Sequence, residues 1–371
     1  MKIVFITPIS LREWGGVENY IFDMANLLSK KYHVLVLSNG IISQKKRITE
    51  LPHHSFCYKE LPTFAVKFIT PSLILPRLPE WINRYEFAYL YHSSISYSYL
   101  TLLTLKLPTV LGVHYDILAT FNSQHYPRKM ILTSFKMLAK HAAGISCRTE
   151  YYASLLRKNL GIDMEKIFIN PVFVDTNIFK PRQKRHFTVL FAGRLAKDKG
   201  IETILDVIHR LGEDIHWLFL GSGEKKYETM LEKISKKKPN VVWKGFVPTT
   251  ELAEELAKSS LTVIASRGGE GYSNVALQSL ACGTPVILSR IPVFSELASK
   301  LPNGVCSLFQ PGNSHELLNK ILIWKNLVET DEKGYREICA KARRYIKEFF
   351  SPYVAQKRFE YMINRVISAR G

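Results

Sequence analysis

The sequence predicts an α/β protein made of two successive units, each a parallel sheet covered by helices. Three observations carry this. The chain has 371 residues, two to four times the length of an ordinary domain. Short β-branched and apolar runs alternate with longer amphipathic stretches, which is the rhythm of βαβ units. That rhythm breaks at the polar, basic connection Lys180 to His186 and then begins again, giving two units of about 170 residues each.

In the first series, MKIVFITPIS opens on a strand over 2–7. A helix over 16–30 follows, with Val17, Tyr20, Ile21, Met24, Leu27 and Leu28 on one face at close to the 3.6-residue period. Lys30 and Lys31 suit its C-terminal end, where the helix dipole favours cations. Strands are expected at 33–37, 87–91, 109–113 and 143–146, with helices around 95–105 and 127–142. The second series runs strand 187–192, helix 200–211, strand 215–220, Gly221-Ser222-Gly223 and helix 224–237. Strands near 241–243, 261–265 and 284–288 follow, with helices near 250–258 and 274–281 between them. No repeat of solenoid period is visible.

Composition narrows the function classes. With 46% apolar and 22% charged residues the chain has material for packed cores and is neither disordered nor collagenous. Its net charge of +19 points to polyanionic partners: nucleic acid, anionic membrane or phosphate-bearing ligands. Both halves are basic, with 20 Lys and Arg against 12 Asp and Glu up to Asp175 and 31 against 20 beyond it. The charge therefore belongs to the body and not to a tail. Five scattered cysteines without ligand spacing fit a reducing compartment and neither a disulfide framework nor a zinc site. The N-terminus lacks a small-residue cleavage site, and the longest uncharged stretch, Phe87 to Leu105, is too polar for a membrane span. A cytoplasmic protein, at most peripheral on the membrane, is expected.

Glycine-rich turns into helices are where chemistry concentrates. Gly15-Gly16 ends the first βα turn and opens a helix, whose free backbone N–H groups attract phosphate. On its own this pair is also what any tight turn requires. In the second unit the turn Gly193-Arg194-Leu195-Ala196-Lys197-Asp198-Lys199-Gly200 puts Arg194 just past a strand and Lys199 just before a helix. Both then lie at the C-terminal edge of the sheet, where open α/β folds bind ligands. A fork-shaped and a point-like cation suit a diphosphate, although alone they read as solvated charges. The most specific segment is Ser266-Arg267-Gly268-Gly269-Glu270-Gly271-Tyr272-Ser273-Asn274, followed by Gln278 and Gly283-Thr284-Pro285. A strand enters a glycine-rich loop there, and the loop opens a helix whose N-terminus again faces an anion. Gln278 lies two turns from Glu270, within reach of another part of one elongated ligand.

Together these segments resemble the retaining glycosyltransferases of family four. The marks are Gly15-Gly16, Asn170-Pro171 through Lys180-Pro181, Gly193-Arg194 with Lys199-Gly200, Gly245-Phe246-Val247, and the block from Glu270 to Pro285, in the family's order over residues 15 to 285. The resemblance implies the GT-B fold, two doubly wound Rossmann-like domains facing across a cleft. It divides the chain into an acceptor-binding domain over 1–174, a nucleotide-sugar-binding domain over 175–350, and a helix over 351–371 that crosses back to the first domain.

By position, the resemblance makes Arg194 and Lys199 the cations on the donor's diphosphate and Gly16 part of the loop that approaches it. Glu270, Gly271, Tyr272 and Ser273 match the segment that holds the transferred sugar and phosphates, and Phe246 and Val247 fall where the nucleotide base is held. His114, at the end of the strand 109–113, matches a histidine near the anomeric carbon and acceptor; without the family it reads as a hydrogen-bonded structural histidine. The family has a second glutamate where this chain has Gln278, and that glutamate accepts from the ribose hydroxyls. Glutamine keeps a carbonyl acceptor but loses the charge. The resemblance implies metal-independent transfer with retention, no cofactor, and a nucleotide-diphosphate sugar as donor.

The acceptor side is less specified; a saccharide or a lipid-linked acceptor is expected. Tyr126 to His141 reads as a basic amphipathic helix, and 61–81 is an apolar, proline-punctuated segment. With the net charge, these fit docking on an anionic membrane as well as a helix facing its own core. Two other classes share some features. A sugar-nucleotide epimerase would need no acceptor, and a nucleic-acid-binding protein would explain the charge but lacks a recognition motif.

Overall fold

The computed structural model describes residues 1–7, 16–39, 53–56, 82, 84–91, 102, 105–114, 128–184 and 186–369. The expected helix around 95–105, the segment 61–81, Gly15 and Tyr126 lie outside these, apart from residues 102 and 105. The chain forms two compact units, Met1–Pro171 with Ala355–Gly371, and Val172–Val354.

Among the described residues the first unit has seven parallel strands: β1 (Lys2–Ile6), β2 (His33–Asn39), β3 (His53–Phe56), β4 (Phe87–Tyr91), β5 (Thr109–Val113), β6 (Gly144–Cys147) and β7 (Ile167–Ile169). Their order is β3-β2-β1-β4-β5-β6-β7. Central strands of such a sheet are covered on both faces and so read as unbroken apolar runs. Accordingly every residue of Phe-Ala-Tyr-Leu-Tyr in β4 and Thr-Val-Leu-Gly-Val in β5 is buried. Val4 of β1 stands opposite Leu35 of β2 on one side and Ala88 of β4 on the other.

Three helices of this unit are α1 (Gly16–Ser29), α2 (Arg128–His141) and α3 (Glu150–Leu160). In α1, Tyr20, Ile21, Met24 and Leu28 are buried as their spacing predicts. The signals bounding α3 are local. Thr149 caps it by accepting from the Tyr152 N–H at 3.2 Å, and Gly161 ends it at φ 64°.

The second unit contains β8 (Thr188–Ala192), β9 (His216–Leu220), β10 (Val241–Trp243), β11 (Leu261–Ile264), β12 (Val286–Ser289) and β13 (Cys306–Phe309). All are parallel, in the order β10-β9-β8-β11-β12-β13. Its helices are α4 (Ile201–Arg210), α5 (Lys225–Lys237), α6 (Thr249–Lys258), α7 (Asn274–Ala281), α8 (Pro292–Lys300), α9 (Ser314–Thr330) and α10 (Glu332–Phe349). Ile201, Ile204, Leu205 and Ile208 of α4 pack with Trp217, Phe219 and Phe191 in one buried cluster.

The last helix, α11 (Pro352–Ser368), belongs to the first unit. Phe359, fully buried, places its ring 5.6 Å from Phe5, 6.3 Å from Phe87 and 5.3 Å from Tyr89. Burying one such side chain contributes about 1.5–3 kcal/mol. Glu360 of α11 accepts from Lys31 at 2.9 Å and from the Tyr32 hydroxyl at 3.0 Å, fastening the helix to the end of α1.

Candidate functional site

In the second sheet the chain order reverses between β8 and β11. Loops leaving those two strands depart in opposite directions and open a crevice at the C-terminal edge. These are the loops that carry Arg194, Lys199 and Glu270.

Backbone packing fixes the β8 loop. The Gly193 N–H donates to the Leu220 carbonyl at 3.0 Å, and Leu195 bridges to Gly223. A Cβ at Gly221 would lie 2.1 Å from the Gly193 carbonyl oxygen, so only glycine lets the β8 and β9 loops approach this closely. Gly200, at φ 70°, ends the single 3₁₀ turn Lys197–Lys199, and a Cβ there would lie 2.0 Å from the Ala265 carbonyl oxygen. The Arg267 N–H donates to the Asp198 carbonyl at 2.8 Å, joining the β8 loop to the β11 loop.

That framework brings the side chains together. Lys199 donates to the Glu270 carboxylate. The same carboxylate oxygen accepts from the Ser266 hydroxyl at 2.7 Å. Lys199 is 26% exposed and Glu270 15%, whereas Arg194 is 65% exposed and reaches Asp198 at 3.1 Å. The arrangement presents one outward-reaching guanidinium and one half-buried ammonium beside a carboxylate.

The rest of the glycine-rich loop is anchored outward. The Tyr272 hydroxyl donates to the Glu296 carboxylate on α8, and Lys300 donates to that carboxylate at 3.0 Å. Tyr272 is buried and packs against Phe350 with ring centroids 6.0 Å apart. Gly271 leads into Ser273, which caps α7 by accepting from the Ala276 N–H at 3.4 Å. Gln278 lies half-buried on α7. Beyond β10, Gly245 accepts from the Gly221 N–H at 2.6 Å, so that the following Phe246, 68% exposed, and the half-buried Val247 stand on a loop tied to the β9 turn.

Gly16 and His114 belong to the first unit. Gly16 opens α1. His114 follows β5 directly and is buried, with both ring nitrogens engaged: Nε2 lies 2.7 Å from the Tyr89 hydroxyl and Nδ1 lies 2.9 Å from Nη2 of Arg148. Burial first, and then the Arg148 charge, hold its pKa well below the ordinary histidine value.

Sequence reasoning passed over Asp198, Ser266, Glu296 and Arg148. Asp198 stands four residues after Arg194, a spacing that announces an ion pair only inside a helix. Glu296 and Arg148 carry no motif; their roles come from what the fold sets beside them.

Two family models together match most of the chain. Residues 14–178 match the family model described as Glycosyltransferase Family 4, and residues 186–324 match the one described as Glycosyl transferases group 1. An uncharacterized glycosyltransferase of Methanocaldococcus jannaschii is 28% identical over 190 residues, 51% of this chain and 51% of that protein. The chain spans about half the length of the first curated relatives it matches. A subunit of the phosphatidylinositol N-acetylglucosaminyltransferase of Arabidopsis thaliana is 23% identical over 94% of this chain and 84% of its own. Among solved structures, sucrose-phosphate synthase from Thermosynechococcus elongatus superposes with TM-score 0.80 at 15% identity, covering 99% of each chain. HepE of Anabaena, in complex with UDP-glucose, superposes with TM-score 0.75 at 18% identity over 100% of each.

Proposed function

Since the chain belongs to glycosyltransferase family four and has the GT-B fold, we propose that it moves a sugar from a nucleotide-diphosphate sugar to a saccharide or lipid-linked acceptor, with retention at the anomeric carbon. The observation that carries this reading is the group formed by Arg194, Lys199 and Glu270 at the point where the second sheet's strand order reverses. HepE, a structural neighbour, is crystallised with UDP-glucose, which supports the donor class.

The chemistry follows from charge. Breaking the glycosidic bond leaves negative charge on the departing diphosphate. Arg194, Lys199 and the N-terminus of α7 stabilise that charge more as it develops than before. Binding the donor requires Lys199 to turn from Glu270 to a phosphate oxygen, and the released carboxylate then accepts from the sugar hydroxyls. Phe246 and Val247 hold the base and Gln278 accepts from the ribose; for Gly15 and Gly16 on the diphosphate and His114 near the anomeric carbon the support is the family resemblance alone. The two side-chain cations take the role a divalent ion plays in other transferases, so the reaction needs neither metal nor cofactor. Turnover should survive chelation; loss on chelation with recovery on adding a divalent ion would count against this part.

The first unit supplies the acceptor side. Among the described residues no helix is long and apolar enough to cross a membrane. We place the protein in the cytoplasm, with peripheral contact to an anionic leaflet where the acceptor is lipid-linked. The test is a panel of nucleotide sugars read by thermal shift, followed by product analysis with and without acceptors. A ligand at 100 times its Kd should stabilise the protein by about 2.7 kcal/mol. Conversion of the donor to an epimer without any acceptor would establish the epimerase in its place.

A further inference from the structure

His114 stands between Arg148 and Tyr89 in a group of buried polar side chains drawn from four neighbouring strands of the first sheet and the residues that follow them. Arg148, 4% exposed, follows β6 directly. Its Nη1 donates to the Asn170 carbonyl at 3.0 Å, its Nη2 faces His114 Nδ1 at 2.9 Å, and its guanidinium carbon lies 3.2 Å from the centre of the Tyr20 ring. A guanidinium has five donors and no acceptor. Nδ1 of His114 must therefore be the acceptor in that contact.

A neutral imidazole carries one proton, and with Nδ1 accepting, the proton sits on Nε2. It then donates to the Tyr89 hydroxyl at 2.7 Å. The Tyr89 hydroxyl has a hydrogen bond with Ser146 as well. Ser146 also accepts from Asn170 Nδ2 at 3.0 Å. One placement of the imidazole proton thus fits both neighbours of the His114 ring, Arg148 and Tyr89.

The strand itself is cut to fit this group. Gly112 is the fourth of five residues in the fully buried β5, and glycine inside a strand weakens a sheet. A Cβ there would stand 2.5 Å from the Tyr89 hydroxyl. The missing side chain is what admits Tyr89 to His114.

We propose that Arg148 is a positioning residue that fixes His114 as the neutral tautomer with its proton on Nε2, so that the imidazole acts in transfer as a held polar group and not as a general base. A protonated His114 would place a second positive charge 2.9 Å from the guanidinium. Among the described residues the other rings packed on the imidazole are Tyr20 from α1 and Tyr89 and Tyr91 from β4, and no carboxylate stands among these contacts to favour the imidazolium. The consequence for turnover rests on the transferase reading; the tautomer does not.

The experiment uses the full chain with ¹⁵N-labelled histidine and long-range ¹H–¹⁵N spectra between pH 5.5 and 8, the His114 signals being those absent from His114→Gln. The wild type should show an Nε2–H imidazole that does not change over the range. In Arg148→Met the same signals should titrate, with a pKa higher by about one unit or more, and Arg148→Lys should restore part of the wild-type pattern. Tyr89→Phe, which leaves Arg148 in place, should keep the proton on Nε2. With a working donor, Arg148→Met should gain an acid limb in its kcat profile that the wild type lacks, while KM for the donor stays within about twofold. An Nδ1–H or protonated His114 in the wild type, a change of tautomer in Tyr89→Phe, or an unaltered spectrum in Arg148→Met overturns the proposal. Failure of every nucleotide sugar to react, with these spectra as expected, tells against the transferase reading instead.

Discussion

Arg194 and Lys199 differ in what holds them, and their variants should differ accordingly. Arg194 is mostly solvent-exposed and its contact with Asp198 is an exposed pair, which contributes little to folding. Arg194→Ala should leave stability unchanged and lower kcat/KM by about 10² or more, as for loss of a group that meets developing charge. Lys199→Ala should lower kcat/KM similarly and in addition take the ammonium from the Glu270 carboxylate, which keeps the Ser266 hydroxyl, so that donor binding weakens as well. Steady-state kinetics beside thermal unfolding separate the two, and wild-type turnover in Arg194→Ala would remove it from the diphosphate site. Gln278→Glu tests the departure at that position: a Kd for the donor lower by a few-fold is expected if the amide holds the ribose less well than a carboxylate. Arg194, Lys199 and Glu270 were legible as candidates because they stand beside glycines in the loops that leave β8 and β11, at the edge where open α/β sheets bind ligands. Arg148 was not, since the run Gly-Ile-Ser-Cys-Arg-Thr gives no sign that the arginine turns inward to meet His114.

At the level of elements, the site depends on loops held by backbone contacts that tolerate no side chain. Gly200→Ala combines a left-handed backbone with a Cβ against the Ala265 carbonyl. It should cost about 2 kcal/mol or more and abolish donor binding with it. Tyr272→Phe removes the hydroxyl that ties the glycine-rich loop to Glu296 while leaving Lys300 on that carboxylate. A loss near 1 kcal/mol with a larger fall in kcat than in donor affinity is expected, measured by urea unfolding and single-turnover kinetics.

The connection before β8 carries a different signature. Lys184 donates to the Ala257 and Ser259 carbonyls and to the Thr284 hydroxyl, and burial holds its pKa down at about 8. Between that value and the ordinary lysine range the unfolded chain binds a proton that the folded chain has released. Stability should therefore rise with pH from about 8 upward, the penalty being fully present below it. Lys184→Met should lose that rise in denaturant titrations at pH 7.5 and 9.5. Periodic helices such as α4 and strands such as β8 were plain in the sequence, which gave no element between the strand expected over 284–288 and the last helix. The structure adds β7, three residues at one sheet edge, and β13 at another, followed by α9 and α10. Edge strands this short hold too few residues for alternation or apolar runs to register.

Over the whole molecule the excess of +19 has to act through surfaces, and α2 shows which kind. The sequence allowed either an apolar, basic rim for lipid or a helix facing its own core. In the structure Phe135, Leu138 and Ala139 of α2 are buried, so these apolar side chains face the core of the first unit. Lys136, Lys140 and His141 face outward around Met137, which is 50% exposed. Among the described side chains α2 turns mainly charge outward, and contact with a membrane is expected to rest on that charge. Each Lys or Arg near an anionic leaflet contributes about 1 kcal/mol, and that attraction decays within a Debye length of about 8 Å at physiological salt. Binding should accordingly need anionic lipid, weaken steeply between 50 and 300 mM salt, on the order of tenfold or more for several such contacts, and leave neutral vesicles unbound. Co-sedimentation with phosphatidylserine-containing liposomes measures this, with Lys136→Glu, Lys140→Glu as the paired variant. Equal binding of variant and wild type would move the contact to another basic surface. No binding at low salt would leave a soluble saccharide as the acceptor.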